Sequence, residues 1–166
     1  MPEISKRATD AELWGRLLST QQIVSKELTD ALERNAGIPL VWYEVLLILA
    51  KSPGGKLRLR EIERMMFHSQ SGLTRLIDRM QVAGHLVKEK ATEDGRGIYA
   101  RLTPEGMHIF RRAASTYVDG IHKNFLHHMD EEERAVVARV FERVRESLLD
   151  EGEDNLSSIQ KLRPPE

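Results

Sequence analysis

Cysteine is absent from all 166 residues, and its absence excludes several kinds of site. Without thiols the chain has no disulfide framework, no thiolate zinc site, no nucleophilic cysteine and no thiol-based redox switch. Long apolar runs are missing as well. No stretch approaches the ~20 apolar residues that a membrane helix needs, and the amino terminus MPEISKRATD lacks the apolar core of a signal peptide. We therefore expect a cytoplasmic protein with no membrane partner.

Signatures of catalysis are also missing. The chain has no glycine-rich phosphate loop and no His-Glu-x-x-His pair, and residues 69–72 (SQSG) lack the first glycine of a nucleophile elbow. A zinc site would need two imidazoles on one helix face, but no i, i+4 pair occurs among the candidates His108, His122, His127 and His128. The sequence therefore predicts neither an enzyme nor a metal site, and it implies no cofactor.

Charge is unevenly distributed along the chain, although the net charge is only −1. Residues 53–101 contain ten Lys and Arg and six Asp and Glu, a net charge of +4; the rest contains 15 basic and 20 acidic residues, a net charge of −5. A basic middle between acidic arms is typical of a nucleic-acid-binding module on a scaffold that does not touch phosphate. On charge alone, a solvated basic face is an equally good interpretation.

Apolar residues recur at helical spacing through most of the chain. Thr9 and Glu12 form a capping-box pattern at the start of a long first helix, which residues 35–37 (NAG) end. Pro39 opens a second helix that is apolar nearly all round, which predicts central burial, and residues 52–55 (SPGG) end it. A short third helix carries Leu59, Ile62, Met65 and Met66.

The next segment has the pattern of a recognition helix. Ser69 is its candidate N-cap, and a narrow apolar stripe follows at i, i+3, i+4 and i+7: Leu73, Leu76, Ile77 and Met80. The opposite side is polar, with Gln70, Ser71, Thr74, Arg75, Asp78 and Arg79. A short helix, a tight turn and a helix with such a polar side indicate a helix-turn-helix, in which Gln and Arg contact base edges in the major groove. Helix pairs unrelated to DNA share this pattern, so it needs independent support.

That support comes from a predicted β-hairpin. Residues 85–90 and 98–102 form two short strands, and Asp94-Gly95 between them is a strong turn signal. Arg96 lies at the tip between two glycines, where the backbone can approach a surface closely, and Asp94 is placed to hold its guanidinium. An arginine there suits the narrow minor groove; the alternative is an exposed turn that contributes only solubility. Helix pair and hairpin together predict a winged helix.

The run SQSGLTRLIDRMQVAGHLVKEKATEDGRGIYARLTPEG resembles the recognition helix and wing of the MarR (multiple antibiotic resistance regulator) family of bacterial transcription factors. The similarity extends over about residues 10–150 and lies in Leu73-Thr74-Arg75, Ile77-Asp78-Arg79-Met80, Gly84, Val87, Asp94-x-Arg96-Gly97 and Leu102-Thr103-x-x-Gly106. The resemblance implies a homodimeric winged-helix protein that binds pseudo-palindromic double-stranded DNA. It also implies a repressor that is released when a small molecule binds between the dimerisation and DNA-binding parts.

The same motif match implies roles for individual residues. Side chains on the first turns of the recognition helix would face the major groove, Arg96 would enter the minor groove, and Asp94 would orient Arg96. Three cations of the predicted strands would lie on or near phosphates. The full set of predicted DNA-binding residues is Ser69, Gln70, Ser71, Thr74, Arg75, Arg79, Lys88, Lys90, Asp94, Arg96 and Arg101.

The carboxyl-terminal third predicts two more helices. Thr103 is an N-cap followed by Pro104, and the helix after it runs to about His127; Asp130 caps the last helix. The last helix has an apolar face of Val136, Val137, Val140, Phe141, Val144, Leu148 and Leu149. A small winged core cannot cover both that face and the first helix, so we expect burial against a second copy of the chain. An intramolecular bundle in a monomer is the alternative.

We therefore expect a mainly α fold with a small β-hairpin wing, that is, a winged helix-turn-helix core with amino- and carboxyl-terminal dimerisation helices. Residues 1–37 and 103–151 would form the helical dimerisation region and residues 38–102 the DNA-binding region. Residues 152–166 are polar and predict a disordered tail. The predicted function is sequence-specific transcriptional regulation by a homodimer. A winged-helix module that binds protein and has no effector is the alternative, since the fold serves both uses.

A binding site for an effector has less support from the sequence. Trp14, Arg16, Trp42, Met65 and His68 are candidates, with Met66, to line a pocket between the dimerisation helices and the winged core. Such a pocket would accept a small aromatic or amphipathic molecule, and Arg16 or His68 would pair with its carboxylate. Ordinary core packing is the alternative for Trp and Met at helical spacing.

Overall fold

The computed structural model describes residues 10–66, 70–90 and 97–148, and for Gln70 and Ser71 it describes the backbone alone. Within these ranges six α-helices and three short strands follow one another. They are α1 (Asp10–Ala36), α2 (Leu40–Lys51), β1 (Lys56–Arg58), α3 (Leu59–Met66), α4 (Gln70–Val82), β2 (Leu86–Lys90), β3 (Ile98–Leu102), α5 (Pro104–Asn124) and α6 (Glu131–Leu148). The fold is mainly α with a winged helix-turn-helix core, as predicted.

Helix α2 lies at the centre of this core. Six of its twelve residues are buried, among them Val45, Leu46 and Leu49, which are fully enclosed. The helix begins after Pro39 and ends where Ser52 leaves helical geometry, as the proline and the Pro-Gly-Gly run predict. It packs against α1 and α5. A helix that is apolar nearly all round is stable only in such a position.

The strands form a three-stranded antiparallel sheet in the order β1-β3-β2. The predicted hairpin is present as β2 and β3, with Leu86 opposite Leu102 and Lys90 opposite Ile98. The sequence did not predict β1, which pairs Lys56 with Arg101 across the other edge of β3. Three residues are too few to show the alternation of apolar and polar side chains that is typical of a strand. This strand forms because β3, which is distant in sequence, pairs with it through backbone hydrogen bonds.

A Schellman motif ends α4 and sets the direction of β2. The backbone N–H of His85 donates to the carbonyl of Met80, and that of Gly84 donates to Gln81. Gly84 has a φ of +81°, which explains why glycine stands there. Helix α4, the predicted recognition helix, therefore leads directly into β2, the first strand of the wing.

Helix α5 begins at a cap that the sequence predicts correctly. The hydroxyl of Thr103 accepts from the backbone N–H of Gly106 at 3.0 Å, and Pro104 occupies the first helical position. The prediction that α5 runs to about His127 is wrong, because the helix ends at Asn124 and Leu126–His128 form a separate 3₁₀ turn. Phe125, at φ −136°, has left helical geometry.

Helix α6 begins with a reciprocal capping box. The backbone N–H of Glu133 donates to the carboxylate of Asp130, and the N–H of Asp130 donates to that of Glu133, at 2.8 and 2.9 Å. No residue of α6 is buried among the described residues. Most of its predicted apolar face is exposed in the single chain, namely Val136, Val140, Phe141, Val144 and Leu148, while Val137 is half-buried and Leu149 lies outside the described residues. Large apolar residues on the first turns of α1 are exposed as well: Leu13, Trp14, Leu17 and Leu18. No described helix is both long and apolar enough to cross a membrane.

Candidate nucleic-acid interface

Helix α4 separates an apolar face from a polar one, as its sequence predicts. Leu73, Leu76, Ile77 and Met80 are buried in the core. Thr74, Arg75, Asp78 and Arg79 are exposed on the opposite side. Within the described part of the chain, Arg75 and Arg79 form no ion pair. Two guanidinium groups are thus exposed to solvent, and no carboxylate of the described ranges pairs with either.

The end of α4 is bound to the wing through one lysine. The side-chain amide oxygen of Gln81 accepts from the backbone N–H of Lys88 at 2.8 Å. The ammonium group of Lys88 in turn pairs with the carboxylate of Asp78. Lys88 lies on the same face of the sheet as the buried Leu86 and Ala100, which turns its side chain toward α4. These contacts fix the orientation of β2 relative to the exposed face of α4.

The opposite face of the sheet carries a network of charged side chains around Glu89. The carboxylate of Glu89 accepts from Nε of Arg101 at 2.5 Å and lies 3.3 Å from Nζ of Lys56. The hydrogen bond from Arg101, with the help of Lys56, lowers the pKa of Glu89. Lys56 also lies over the ring of Tyr99, 4.4 Å from its centroid, and Arg58 donates to the Tyr99 hydroxyl at 3.0 Å. The sequence did not predict this network, because Lys56 and Arg58 reach it only through the pairing of β1 with β3.

The predicted DNA-binding residues therefore fall into three groups. Thr74, Arg75, Arg79 and Lys90 are exposed. Lys88 and Arg101 each pair with a carboxylate of the same chain. The remaining predicted residues are Gln70 and Ser71, described by their backbone alone, and Ser69, Asp94 and Arg96, which lie outside the described residues.

A buried histidine joins α4, the sheet and α5. His85 is 9% exposed, its ring meets that of Trp42 edge to face with centroids 5.5 Å apart, and its Nδ1 has no hydrogen-bond partner among the residues that the structure describes. Removal from water lowers the pKa of His85, although Glu105 opposes this effect. One feature of the sequence points to this buried histidine: it is a polar residue directly before Leu86, where the first strand of the wing begins.

The residues predicted to line an effector pocket lie in different surroundings. Trp14 is 61% exposed near the start of α1, and Arg16 is exposed beside it. Trp42 and Met65 are half-buried and pack against the core. His68 lies outside the described residues. A concavity of about 410 Å³ exists at the start of α6, but Met129, Val136, Val137 and their charged neighbours line it, and none of the predicted residues does.

Comparisons with known proteins agree on one family. Residues 36–97 match the family model of the MarR family. No curated protein matches the chain in sequence. Among solved structures, the MarR family transcriptional regulator Sco3205 from Streptomyces coelicolor, in complex with DNA, is 27% identical, with a TM-score of 0.80 over 89% of this chain and 96% of that one.

Two further regulators of the same organism are similar. AbsC, a MarR family transcriptional regulator, is 25% identical, with a TM-score of 0.78 over 87% of this chain and 98% of that chain. PcaV, a transcriptional regulator solved with its natural ligand, is 23% identical, with a TM-score of 0.68 over 90% of this chain and all of the other. The likeness to PcaV concerns the fold.

Proposed function

Because the chain belongs to the MarR family of transcriptional regulators, through its 36–97 segment and a fold shared along most of its length, we propose that it is a homodimeric repressor of transcription. It binds a pseudo-palindromic operator and leaves it when a small molecule binds. One observation carries the DNA-binding part of this proposal: the exposed face of α4 presents Thr74, Arg75 and Arg79 next to the wing strands. The proposed role is regulation and not catalysis.

The proposed contacts follow from the position of α4. Its amino-terminal turns enter the major groove, where the Arg75 guanidinium donates to a guanine and Gln70, Ser71 and Thr74 contact neighbouring base edges. Arg79 and Lys90 contact phosphates, and Arg96 enters the minor groove under the orientation of Asp94. The resemblance also assigns Lys88 and Arg101 to phosphates, but each would first have to leave Asp78 or Glu89. Sco3205, which was solved in complex with DNA, supports DNA binding by this fold.

The proposed dimer is supported by apolar side chains that the single chain leaves in water. Ile23 is 64% exposed on α1, and Phe141 and Val144 are 42% and 50% exposed on α6. Monomeric proteins rarely leave such residues uncovered in contiguous patches, and a second copy would cover them around a twofold axis. We assign residues 1–37 and 103–151 to this dimerisation region and 38–102 to DNA binding. The axis would place two α4 helices about 34 Å apart, in successive major grooves.

The proposed effector is a small aromatic or amphipathic molecule. PcaV was solved with a natural ligand, which supports ligand binding on this fold. In this chain Trp42 and Met65 are half-buried at the edge of the winged core. A dimer would bring further surfaces beside them, including Trp14 and Arg16 of either copy, and these surfaces would enclose the proposed pocket.

The proposal is tested by fluorescence anisotropy with the purified full-length protein. The probes are a duplex from the intergenic DNA upstream of its own gene and a scrambled duplex of equal composition, each at two salt concentrations. We expect tight, selective binding with two chains per duplex, weakening steeply as salt rises. Equal, weak binding to both duplexes, followed by a genome-wide selection that returns no site, would contradict it in favour of a protein-binding module. Light scattering of the same sample measures the mass and tests the dimer separately.

A further inference from the structure

The network around Glu89 connects all three strands on one face of the sheet. Lys56 of β1 lies opposite Arg101 of β3, and Glu89 of β2 lies opposite Tyr99. Because side chains alternate along a strand, these four residues and Arg58 share the face that points away from the buried Ala100. One carboxylate, that of Glu89 on β2, thus shares this face with three cations: Lys56 and Arg58 on β1 and Arg101 on β3.

Both ion pairs of Glu89 remain in contact with water. The side chains of Glu89, Lys56 and Arg101 are 31%, 38% and 47% exposed. Burial therefore does not explain why two cations converge on this carboxylate. Arg101 donates through Nε, the geometry that a guanidinium also uses toward a phosphate oxygen. Glu89 occupies the position on these two cations that a phosphate of DNA would otherwise take.

We propose that Glu89 limits the affinity of this protein for DNA of any sequence by withholding Lys56 and Arg101 from the phosphate backbone. This inference rests on the proposed DNA binding. Cations that pair with phosphates release condensed counterions, and that release supplies most of the affinity that does not depend on sequence. A carboxylate that pairs with both cations offsets one of their two positive charges and reduces what they contribute to this release. Base reading by α4 is unaffected, so the ratio of the affinity for the operator to that for other sequences stays the same, while α4 supplies a larger share of the total binding free energy.

The test is the salt dependence of binding by the Glu89→Gln variant of the full chain. The amide keeps the size of the side chain but carries no charge, so it no longer forms ion pairs with Lys56 and Arg101. We expect a plot of log K against log salt concentration to be steeper for the variant. The magnitude of its slope should increase by about 0.9 for each cation that newly reaches a phosphate. Affinity at low salt should rise by about two- to fivefold per cation, because exposed ion pairs are weak. The rise should be equal for operator and scrambled duplexes.

Glu63→Gln is the matched control for this variant. Glu63 lies on α3 in the same basic region and forms no ion pair within the described ranges, so the substitution adds the same charge without freeing a cation. Equal salt slopes for Glu63→Gln and Glu89→Gln would overturn the proposal, since they would show a general effect of net charge. Thermal unfolding of each variant establishes that both are folded.

A second variant tests the mechanism without relying on Glu89→Gln alone. Arg101→Gln should reduce the salt slope less in the wild-type background than in the Glu89→Gln background, because Arg101 already pairs with Glu89 in the wild-type protein. The same substitution in the Glu89→Gln background should reduce the slope by about 0.9. A large loss of slope from Arg101→Gln in the wild-type background would mean that Arg101 already contacts phosphate and would overturn the inference. Failure of the wild-type protein to bind any duplex would instead contradict the proposed function.

Discussion

The hydroxyl of Thr103 donates a hydrogen bond to the carbonyl oxygen of Gly84, 2.7 Å away, and thereby ties the start of α5 to the end of α4. The same hydroxyl accepts from the N–H of Gly106, so one side chain caps α5 and satisfies the turn that ends the candidate recognition helix. The backbone N–H of Thr103 also donates to His85 at 3.2 Å. Thr103 therefore helps to fix the orientation of α4 relative to the long helix α5.

Substitution Thr103→Val should lower the free energy of unfolding by about 1 to 2 kcal/mol. Valine has the shape of threonine but neither caps the helix nor donates to Gly84, and loss of an N-cap costs about that amount. Urea unfolding followed by circular dichroism measures the change. Thr103→Ser retains the hydroxyl and should lose much less stability; equal losses in the two variants would mean that the hydroxyl contributes nothing.

Gly106→Ala should destabilise the protein by about 1 to 3 kcal/mol, the usual cost of overpacking. A β-carbon at this position would lie 1.9 Å from the carbonyl oxygen of His85, which is backbone and cannot rotate away. Gly15→Ala is the control in another helix, since its added methyl group meets no atom within 4 Å. Alanine there should stabilise by up to about 1 kcal/mol through helix propensity. If the urea midpoint of Gly106→Ala equalled that of the wild-type protein, the close approach of Gly106 to the His85 carbonyl would not exist in solution.

Stability should fall as the pH decreases below about 6.5, in part because of His85. Burial lowers the pKa of His85 in the folded state, so the unfolded chain binds the proton first. The contribution is complete above the unfolded pKa and is lost as the pH falls from there toward the lower folded pKa. Urea midpoints at pH 7.5 and 5.5 measure this loss; at both values Glu89, whose pKa is lowered, stays ionised.

The variant His85→Gln isolates that contribution. It cannot take up the proton, so its midpoint should change less between the two pH values than that of the wild-type protein. His108→Gln replaces an exposed histidine, leaves the buried one in place and should behave as the wild type does. Identical pH dependence in His85→Gln and the wild type would show that His85 is protonated equally well when folded.

Arg75→Ala should weaken operator binding by about 1 to 3 kcal/mol and relax the sequence preference at one position. The reason is the loss of a bidentate contact to a base, while the fold loses nothing because the side chain is exposed. Anisotropy titrations against single-base operator variants measure both effects. Arg111→Ala on α5 removes the same charge from an exposed position outside the basic region and should leave the preference intact. Unaltered preference in Arg75→Ala would remove this residue from base reading.

Arg96→Ala should weaken binding without a change in dimer mass or thermal stability. Arg96 lies outside the described residues, and its entry into the minor groove is a prediction from the sequence and the family resemblance. Titration of the operator against this variant, with light scattering and thermal unfolding as controls, tests it. Wild-type affinity would exclude the wing tip from the mechanism.

Local patterns in the sequence were sufficient for most elements of the fold. The stripe of Leu73, Leu76, Ile77 and Met80 predicted which face of α4 is buried, because helical periodicity is a property of one segment. The Thr103 cap and the stop at Gly84 were predicted for the same reason, since each depends on backbone groups a few residues away. The family resemblance supplied what periodicity could not, namely the prediction of which of these elements contacts DNA.

Contacts between distant segments were decided only by the tertiary structure. Strand β1 has three residues and exists because β3 pairs with it, so the convergence of Lys56 and Arg101 on Glu89 had no local signal. The need for glycine at position 106 also had no local signal, because it arises from the nearby carbonyl of His85 and not from the helix that contains Gly106. By itself the sequence determined the helices, the hairpin and the exposed cations of α4. The tertiary structure decided which cations are paired, because ion pairing depends on distances between strands that no single segment contains.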